Sequence, residues 1–270
     1  MSEKIGLIAG KGQFPRIFAQ TARGQGLKVV AVAHRGETDP ALADLVEEIH
    51  WIYVGQLGKI IKIFQKAGVR QAVMAGGIDR VRLFKNFRPD WKALNLIRRV
   101  GPGQDDRLLR AVAGELEQGG ITIVPSTLFL EELLAPVGAL TRRRPNSEEL
   151  KDIHLGFAVA KEMGRLDIGQ CVVVRRQVVV ALEAVEGTDE TIRRGGRLAG
   201  AGCVVVKVSK PGQDLRFDVP AVGQETIMTM GEVQAKVLAL EAGKTLIFDR
   251  PQMISLADQA GVAVWGMQLP

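Results

Sequence analysis

The chain has 270 residues, of which 46% are hydrophobic and 24% charged, with a net charge of +6. This is globular composition and excludes wholesale disorder. The most apolar stretch, residues 171–182, is cut by Arg175 and Arg176, so no run reaches the roughly 18 residues of a membrane span. The opening MSEKIGLIAG lacks a secretory layout, and the two cysteines, Cys171 and Cys203, give neither a disulfide framework nor metal-ligand spacing. Both features are expected of a protein in a reducing cytoplasm.

The first half alternates short apolar runs with amphipathic segments. Strands are predicted over residues 4–9, 28–33, 50–54, 71–75 and 121–124. Helices are predicted over 13–23, 57–67 and 105–118, where apolar residues recur at helical spacing. Strands separated by helices predict parallel βαβ units, hence a Rossmann-like N-terminal domain over 1–138. Residues 139–150, ALTRRRPNSEEL, break both periodicities and read as a linker. Within them Asn146 or Ser147 stands ready to cap a helix.

Residues 151–270 are expected to form a mixed α+β catalytic domain. Its first helix is predicted over 149–163. Strands at 170–174 and 177–182 flank Arg175-Arg176 as a tight hairpin, and further strands are expected at 203–208 and 215–219. A long helix is predicted over 226–242, then a strand at 245–248, a short helix at 253–260 and a last strand at 263–266.

The charge is uneven. Residues 1–135 carry 19 Lys+Arg against 14 Asp+Glu, while the remainder carries 17 against 16. Between 80 and 110, nine basic residues face only Asp90, Asp105 and Asp106. Such a patch suits a phosphate ligand, an anionic lipid surface or nucleic acid, or is simply a solvated face. Aromatic residues are 5% of the chain, thin for a base-stacking platform, so nucleic acid is not an expected partner.

Three glycine or hydroxyl turns follow predicted strands: Gly10-Lys11-Gly12, Gly76-Gly77 and Ser126-Thr127. Glycine lets backbone N–H groups approach a phosphate, and turns at the same ends of parallel strands converge on one crevice. The spacing is neither a Walker loop nor a full dinucleotide fingerprint. Asp105 and Asp106 open a helix and either cap it or hold a cation through water. The histidines His34, His50 and His154 show no ligand spacing, and no G-x-S-x-G elbow is present. In the second half, Gln170, the run Glu183–Asp189 and Lys207 lie at strand ends. Asp218, between Phe217 and Val219, is a candidate for handling metal or water, with a capped turn as the plain alternative.

Residues 4–15 (KIGLIAGKGQFP), Gly169-Gln170, 186–189 (EGTD), 207–223 (KVSKPGQDLRFDVPAVG) and 241–253 (EAGKTLIFDRPQM) closely resemble the LpxI-type UDP-2,3-diacylglucosamine pyrophosphatases. The resemblance runs through nearly the whole chain. It implies hydrolysis of the pyrophosphate of UDP-2,3-diacylglucosamine, in lipid A biosynthesis, to 2,3-diacylglucosamine 1-phosphate (lipid X) and UMP. It implies Mg²⁺, attack at the α-phosphorus, and a homodimer in the cytoplasm or peripheral on the anionic inner leaflet of the inner membrane. The family's essential aspartate maps onto Asp218. On this reading Asp218 is catalytic and, with Asp189, holds the metal. Gly10, Gly76, Ser126, Thr127, Gln170, Thr188 and Lys207 bind substrate. The acyl chains need an apolar groove, for which Leu128, Phe129, Leu133, Leu134 and the run 81–87 are available, although ordinary core accounts for most of them.

Two other classes compete. A nucleotide-binding oxidoreductase predicts an acidic residue at the end of the second strand, where the sequence reads Ala33-His34-Arg35-Gly36 and Glu37 comes later. A non-catalytic binder of anionic ligands follows from the charge alone.

Overall fold

The computed structural model describes residues 3–78, 87–100, 105–217 and 219–268, without the side chains of Asp105 and Asp106. The chain forms two compact units. The first takes in the residues up to Leu130 and a return segment beginning at Asp214. The second takes in Glu131–Gln213 and resumes at Val219.

The first unit is built on strands β1 (Lys4–Ala9), β2 (Lys28–His34), β3 (Glu48–Ile52), β4 (Gln71–Ala75) and β5 (Thr122–Ile123). They form one sheet in the order β3-β2-β1-β4-β5, with every pairing parallel. The helices are α1 (Phe14–Gly24), α2 (Leu57–Ala67), α3 (Trp91–Val100) and α4 (Asp105–Gln118). α2 shows why the expected pattern folds as expected. It buries Leu57, Ile60, Ile61 and Phe64, one face at i, i+3, i+4 and i+7, and stops at Gly68 with φ 74°, a left-handed cap that glycine adopts without strain. Pro15 sits in the first turn of α1, where its missing N–H costs nothing.

The second unit holds a six-stranded mixed sheet in the order β6-β13-β11-β9-β7-β8. These are β6 (Gly138–Ala139), β7 (Cys171–Arg175), β8 (Val178–Leu182), β9 (Val204–Lys207), β11 (Val237–Glu241) and β13 (Ala263–Met267). β9, β11 and β13 run parallel, and β7 is antiparallel to both β8 and β9. A separate parallel pair joins β10 (Ala221–Val222) to β12 (Leu246–Ile247). The helices are α5 (Ser147–Arg165), α6 (Thr188–Ala199), α7 (Gln224–Glu232) and α8 (Arg250–Ala260). Asn146 and Glu149 close a capping box at the start of α5.

The stretch 139–150 is built into the second unit. The Thr141 hydroxyl accepts from Val264 N at 2.9 Å, and Arg143 donates to the Lys236 carbonyl at 2.9 Å and to Glu149 at 2.5 Å. The 175–176 hairpin is present. Arg176 and Gln177 both have positive φ, as a two-residue primed turn requires, and the buried Asp152 carboxylate accepts from both of their N–H groups.

Two expectations fail and one helix was not anticipated, each for an identifiable reason. The predicted strand at 215–219 is a turn through residue 217. Asp214 accepts from Arg216 N at 3.2 Å and pairs with its guanidinium at 2.7 Å, while Phe217 N reaches back to the Asp214 carbonyl. The predicted helix over 226–242 is α7 followed by β11. The apolar run VLAL is buried on both faces of the sheet, and periodicity cannot separate such a strand from a buried helix. The helix α6 lies where the sequence analysis assigned no element. Its Gly195-Gly196 pair reads as a helix breaker, yet a Cβ on Gly195 would lie 2.7 Å from Val173 Cβ, and one on Gly196 would lie 2.2 Å from Val233 Cβ. The helix gives up about 1 kcal/mol of propensity per glycine to pack that closely.

Candidate functional site

In the first unit, the turns after β1 and β4 meet backbone to backbone. Gly10 N donates to the Ala75 carbonyl at 2.8 Å and Lys11 N to the Gly77 carbonyl at 2.7 Å. A Cβ on Gly10 would lie 2.4 Å from Gly77 O, and one on Gly76, which has φ +85°, 2.5 Å from Lys11 O. Glycine at both positions is therefore required by this close approach. It occurs at the strand-order reversal, between β1 and β4, where open parallel sheets place ligands.

The turn after β2 is tied to the same strand end. The buried His34 ring contacts the Ala9 carbonyl through Nδ1 at 2.9 Å, and the Thr38 hydroxyl donates to that carbonyl at 2.6 Å. Desolvation lowers the His34 pKa, opposed by the bond to Ala9 and the charge of Glu37. The bond to a carbonyl assigns the proton to Nδ1 of a neutral ring. Ser126 and Thr127 open a 3₁₀ turn after β5. Ser126 is fully buried and its Oγ makes no hydrogen bond among the described residues. Phe129 stacks edge-on against Phe18 at 5.5 Å, so it serves the packing of this unit. Leu128 is exposed, and most of the run 81–87 lies outside the described residues.

In the second unit, four of the expected residues gather at one end of β7, β8 and β9. Cys171 faces Lys207 across the β7–β9 ladder, Val208 N donates to the Gln170 carbonyl, and Glu183 N to the Cys171 carbonyl. The Glu183 carboxylate, which the sequence analysis did not single out, is the centre of the group. It accepts from Gln170 N at 2.9 Å and from the Thr188 hydroxyl at 2.8 Å, and it is buried. Gly169 lets the Glu183 main chain pass close by, since a Cβ there would lie 2.2 Å from the Glu183 carbonyl oxygen. Thr188 and Asp189 begin α6 behind Gly187, where the helix dipole favours negative charge. Burial, then the charges of Glu183 and Asp189, push the Cys171 thiol far up against the pull of Lys207. It is a packing residue, not a nucleophile.

Lys207 is buried and its Nζ donates to the Ala221 carbonyl at 2.7 Å. Behind it, Glu241 accepts from Lys161 Nζ at 2.6 Å and from Ser209 N at 2.8 Å, and Lys161 also reaches the Ser209 carbonyl. Both ends of the 209–221 segment are thus fixed in this unit by buried charged groups. Asp218, the expected catalytic and metal-binding residue, lies outside the described residues.

Mg²⁺ takes one or two carboxylates and fills its remaining positions with water and phosphate oxygens. Both Glu183 oxygens are occupied by protein donors, whereas the buried Gln170 Oε1 accepts no hydrogen bond among the described residues. An orphaned amide oxygen in the cluster that also contains Asp189 fits a hard cation. No group of three or more His, Cys, Asp or Glu side chains suited to a metal occurs among the described residues.

A parallel-sheet unit with its switch point at glycine turns, followed by a mixed-sheet unit with buried polar groups at its strand ends, defines a two-unit α/β protein. Comparison with known proteins makes this particular. Residues 4–133 match the LpxI N-terminal domain and residues 136–265 the LpxI C-terminal domain. The chain is 34% identical over 281 aligned residues to the UDP-2,3-diacylglucosamine pyrophosphatase LpxI of Caulobacter vibrioides, covering 98% of this chain and 97% of that protein. The chain belongs to the LpxI family. Among solved structures, the biotin carboxylase subunit of pyruvate carboxylase aligns at 15% identity and a TM-score of 0.28, over 74% of this chain and 42% of that one. The ADP complex of the N5-carboxyaminoimidazole ribonucleotide synthetase purK aligns at 14% and 0.28, over 81% and 48%. The chain spans less than half of either, and scores this low carry no argument.

Proposed function

We propose that this protein hydrolyses UDP-2,3-diacylglucosamine to lipid X and UMP. The observation that carries this reading is the match to the Caulobacter pyrophosphatase through both units and nearly the full length of each chain. In the reaction the water oxygen bonds to the α-phosphorus and the bridging P–O bond breaks. The bridging oxygen leaves on lipid X, and the proton of the water passes to a base. Such a transfer needs positioning and neutralisation of charge more than covalent help.

The second unit supplies residue types of that kind. Asp189 and Gln170 Oε1 would hold Mg²⁺, which neutralises pyrophosphate charge when bound. Lys207 presents a fixed ammonium, and the backbone N–H groups at the start of α6, from Thr188 onward, present donors. The role of orienting or deprotonating the water falls to Asp218 on the family resemblance alone. In the first unit Gly10 and Gly76 shape the switch point, with Ser126 and Thr127 one strand further along. We place the enzyme in the cytoplasm, on the anionic face of the membrane. α3 supports this: Trp91 is 72% exposed, with Leu94 beside it and Arg98 on the same face, the residue types of an interfacial helix. Among the described residues no helix is long and apolar enough to cross a membrane. The homodimer implied by the resemblance would show in sedimentation as twice the chain mass.

The test is UMP release from UDP-2,3-diacylglucosamine with Mg²⁺ and with EDTA. Metal-dependent release of UMP and lipid X is expected, and Asp218→Ala should abolish turnover while circular dichroism stays unchanged. A folded wild-type protein without turnover in Mg²⁺ would overturn the reading.

A further inference from the structure

We propose that Glu183 is a positioning residue of the second unit. Its carboxylate touches neither substrate nor metal; it holds Gln170 and Asp189 in the arrangement that a hard cation needs, a role that rests on the Mg²⁺ site of the proposed function.

The two ligand residues come from different elements. Gln170 immediately precedes β7, and Asp189 lies in the first turn of α6. The middle of α6 is packed against β7, where Gly195 meets Val173. Its first turn is anchored differently. Gly187 stands at the N-cap position and offers no side chain to cap the helix. The Thr188 hydroxyl anchors the turn instead, donating to Glu183 Oε1 at 2.8 Å. The other oxygen of the same carboxylate, Oε2, accepts from Gln170 N at 2.9 Å. Among the described residues, this carboxylate is the hydrogen-bonded link between the start of β7 and the start of α6.

The link is stiff. Glu183 is buried, and its own N–H donates to the Cys171 carbonyl at 2.9 Å. Burying a carboxylate carries a desolvation cost, offset here by two charge-assisted hydrogen bonds, which are roughly twice as strong as neutral ones. Gln170 is held from its other side as well, since its carbonyl accepts from Val208 N at 3.0 Å. With both main-chain groups of Gln170 fixed, its orphaned Oε1 is left for a ligand. Residues that orient metal ligands without touching the metal govern metal affinity by about 10–100-fold.

The test uses the full chain with Trp51→Phe and Trp91→Phe, so that Trp265 reports on the second unit. Urea midpoints are measured against Mg²⁺ concentration without the lipid substrate. A cation that binds the native state raises the midpoint once its concentration passes the dissociation constant, and that threshold is the readout. Glu183→Leu should raise the threshold by about 10–100-fold. Glu183→Gln should bring it back to within about threefold of the parent, because Oε1 still accepts from Gln170 N and Nε2 donates to the Thr188 hydroxyl. Thr188→Val, which serves if Glu183→Leu does not fold, should raise it about fivefold, the usual weight of one hydrogen bond. In turnover, Glu183→Leu should raise the Mg²⁺ concentration for half-maximal rate by the same factor as the threshold, with kcat at saturating Mg²⁺ little changed.

A merely structural Glu183 would lower the midpoint without metal and leave the threshold unmoved. That result in Glu183→Leu or Thr188→Val would overturn the proposal. Glu183→Gln as impaired as Glu183→Leu would overturn it too, assigning the effect to charge and not to position. A parent midpoint that ignores Mg²⁺ would do the same, even with hydrolysis intact. A threshold that follows Glu183 in a protein that does not hydrolyse UDP-2,3-diacylglucosamine would keep the proposal and sink the proposed reaction.

Discussion

Replacing Glu241 by Ala should destabilise the second unit by about 3 to 4 kcal/mol, near the usual cost of breaking one partner out of a buried ion pair. Glu241 and Ser209 are buried, and the Lys161 side chain is 17% exposed. The substitution strands the Lys161 ammonium, which keeps only the Ser209 carbonyl at 2.8 Å. It also leaves Ser209 N without its acceptor at 2.8 Å, an omission costing about 1–3 kcal/mol. The third partner, Lys244 at 2.9 Å, is half exposed and adds less than about 1 kcal/mol. Urea unfolding at pH 7, followed through Trp265 in a Trp51→Phe, Trp91→Phe background, reads this unit alone. Glu241→Ala within about 0.5 kcal/mol of its parent would refute the reasoning, since even exposed pairs reach that size. The double variant Lys161→Met with Glu241→Leu should lose less than Glu241→Ala, because no charge is stranded. The pH dependence has a defined sign. Burial alone would raise the Glu241 pKa, but the bonds from Lys161, Lys244 and Ser209 N outweigh it and hold the folded-state value below 4.5. Its stabilisation is present above about pH 4.5 and lost as pH falls through the folded value, and Glu241→Gln should remove that acid limb.

Gly10→Ala should cost about 1–3 kcal/mol, the range for overpacking, because the added Cβ meets Gly77 O at 2.4 Å and Gly76 C at 2.8 Å. Thermal melting of the first unit checks it, and an unchanged transition would mean the two turns do not press on each other. The His34 pKa is lowered by burial from 6.5, so the folded state resists protonation. Stability from this residue is full above about pH 6.5 and falls as pH drops below it. His34→Asn should flatten the denaturant midpoint against pH between about 5 and 7, and a slope identical to wild type would count against the buried neutral ring. Trp91→Ala with Leu94→Ala should lower cosedimentation with anionic vesicles several-fold, and salt should weaken the wild-type interaction. Equal retention by zwitterionic vesicles would remove the charge argument.

Much of the first unit was legible in the sequence because its strands are separated by helices with clean periodicity. α2 and β4 fall where the pattern puts them, since Ile60, Ile61 and Phe64 leave only one apolar face. The second unit was harder for three physical reasons. β11 is buried on both faces, so its run carries no alternation. α6 holds two glycines that look like breakers and are packing contacts. The segment after Asp214 is shaped by a local carboxylate–guanidinium pair, not by periodicity. Residue types at strand ends are what singled out Gln170, Thr188, Asp189 and Lys207, which the structure brings to one end of β7, β8 and β9. Glu183 was passed over because nothing in a lone glutamate after an apolar strand announces two donors waiting for it.

The glycines carry a further consequence for how such a chain reads. Gly10, Gly76, Gly169, Gly195 and Gly196 each have a protein neighbour within 2.8 Å of where a Cβ would sit. A glycine-rich turn after a strand is therefore evidence of close approach by backbone or side chain, and a phosphate is only one of the things that approaches. In this chain the turns at the switch point approach each other. In the second unit it is charged and polar side chains that are gathered and held at the strand ends. Lys207 is held by the Ala221 carbonyl, Thr188 by Glu183, and Glu241 fixes the segment that follows β9. Such groups are costly to bury, and a fold keeps them only where each is paired or where a ligand completes the set. The unsatisfied Gln170 Oε1, in the midst of satisfied neighbours, is the place in the second unit where completion by a ligand is expected.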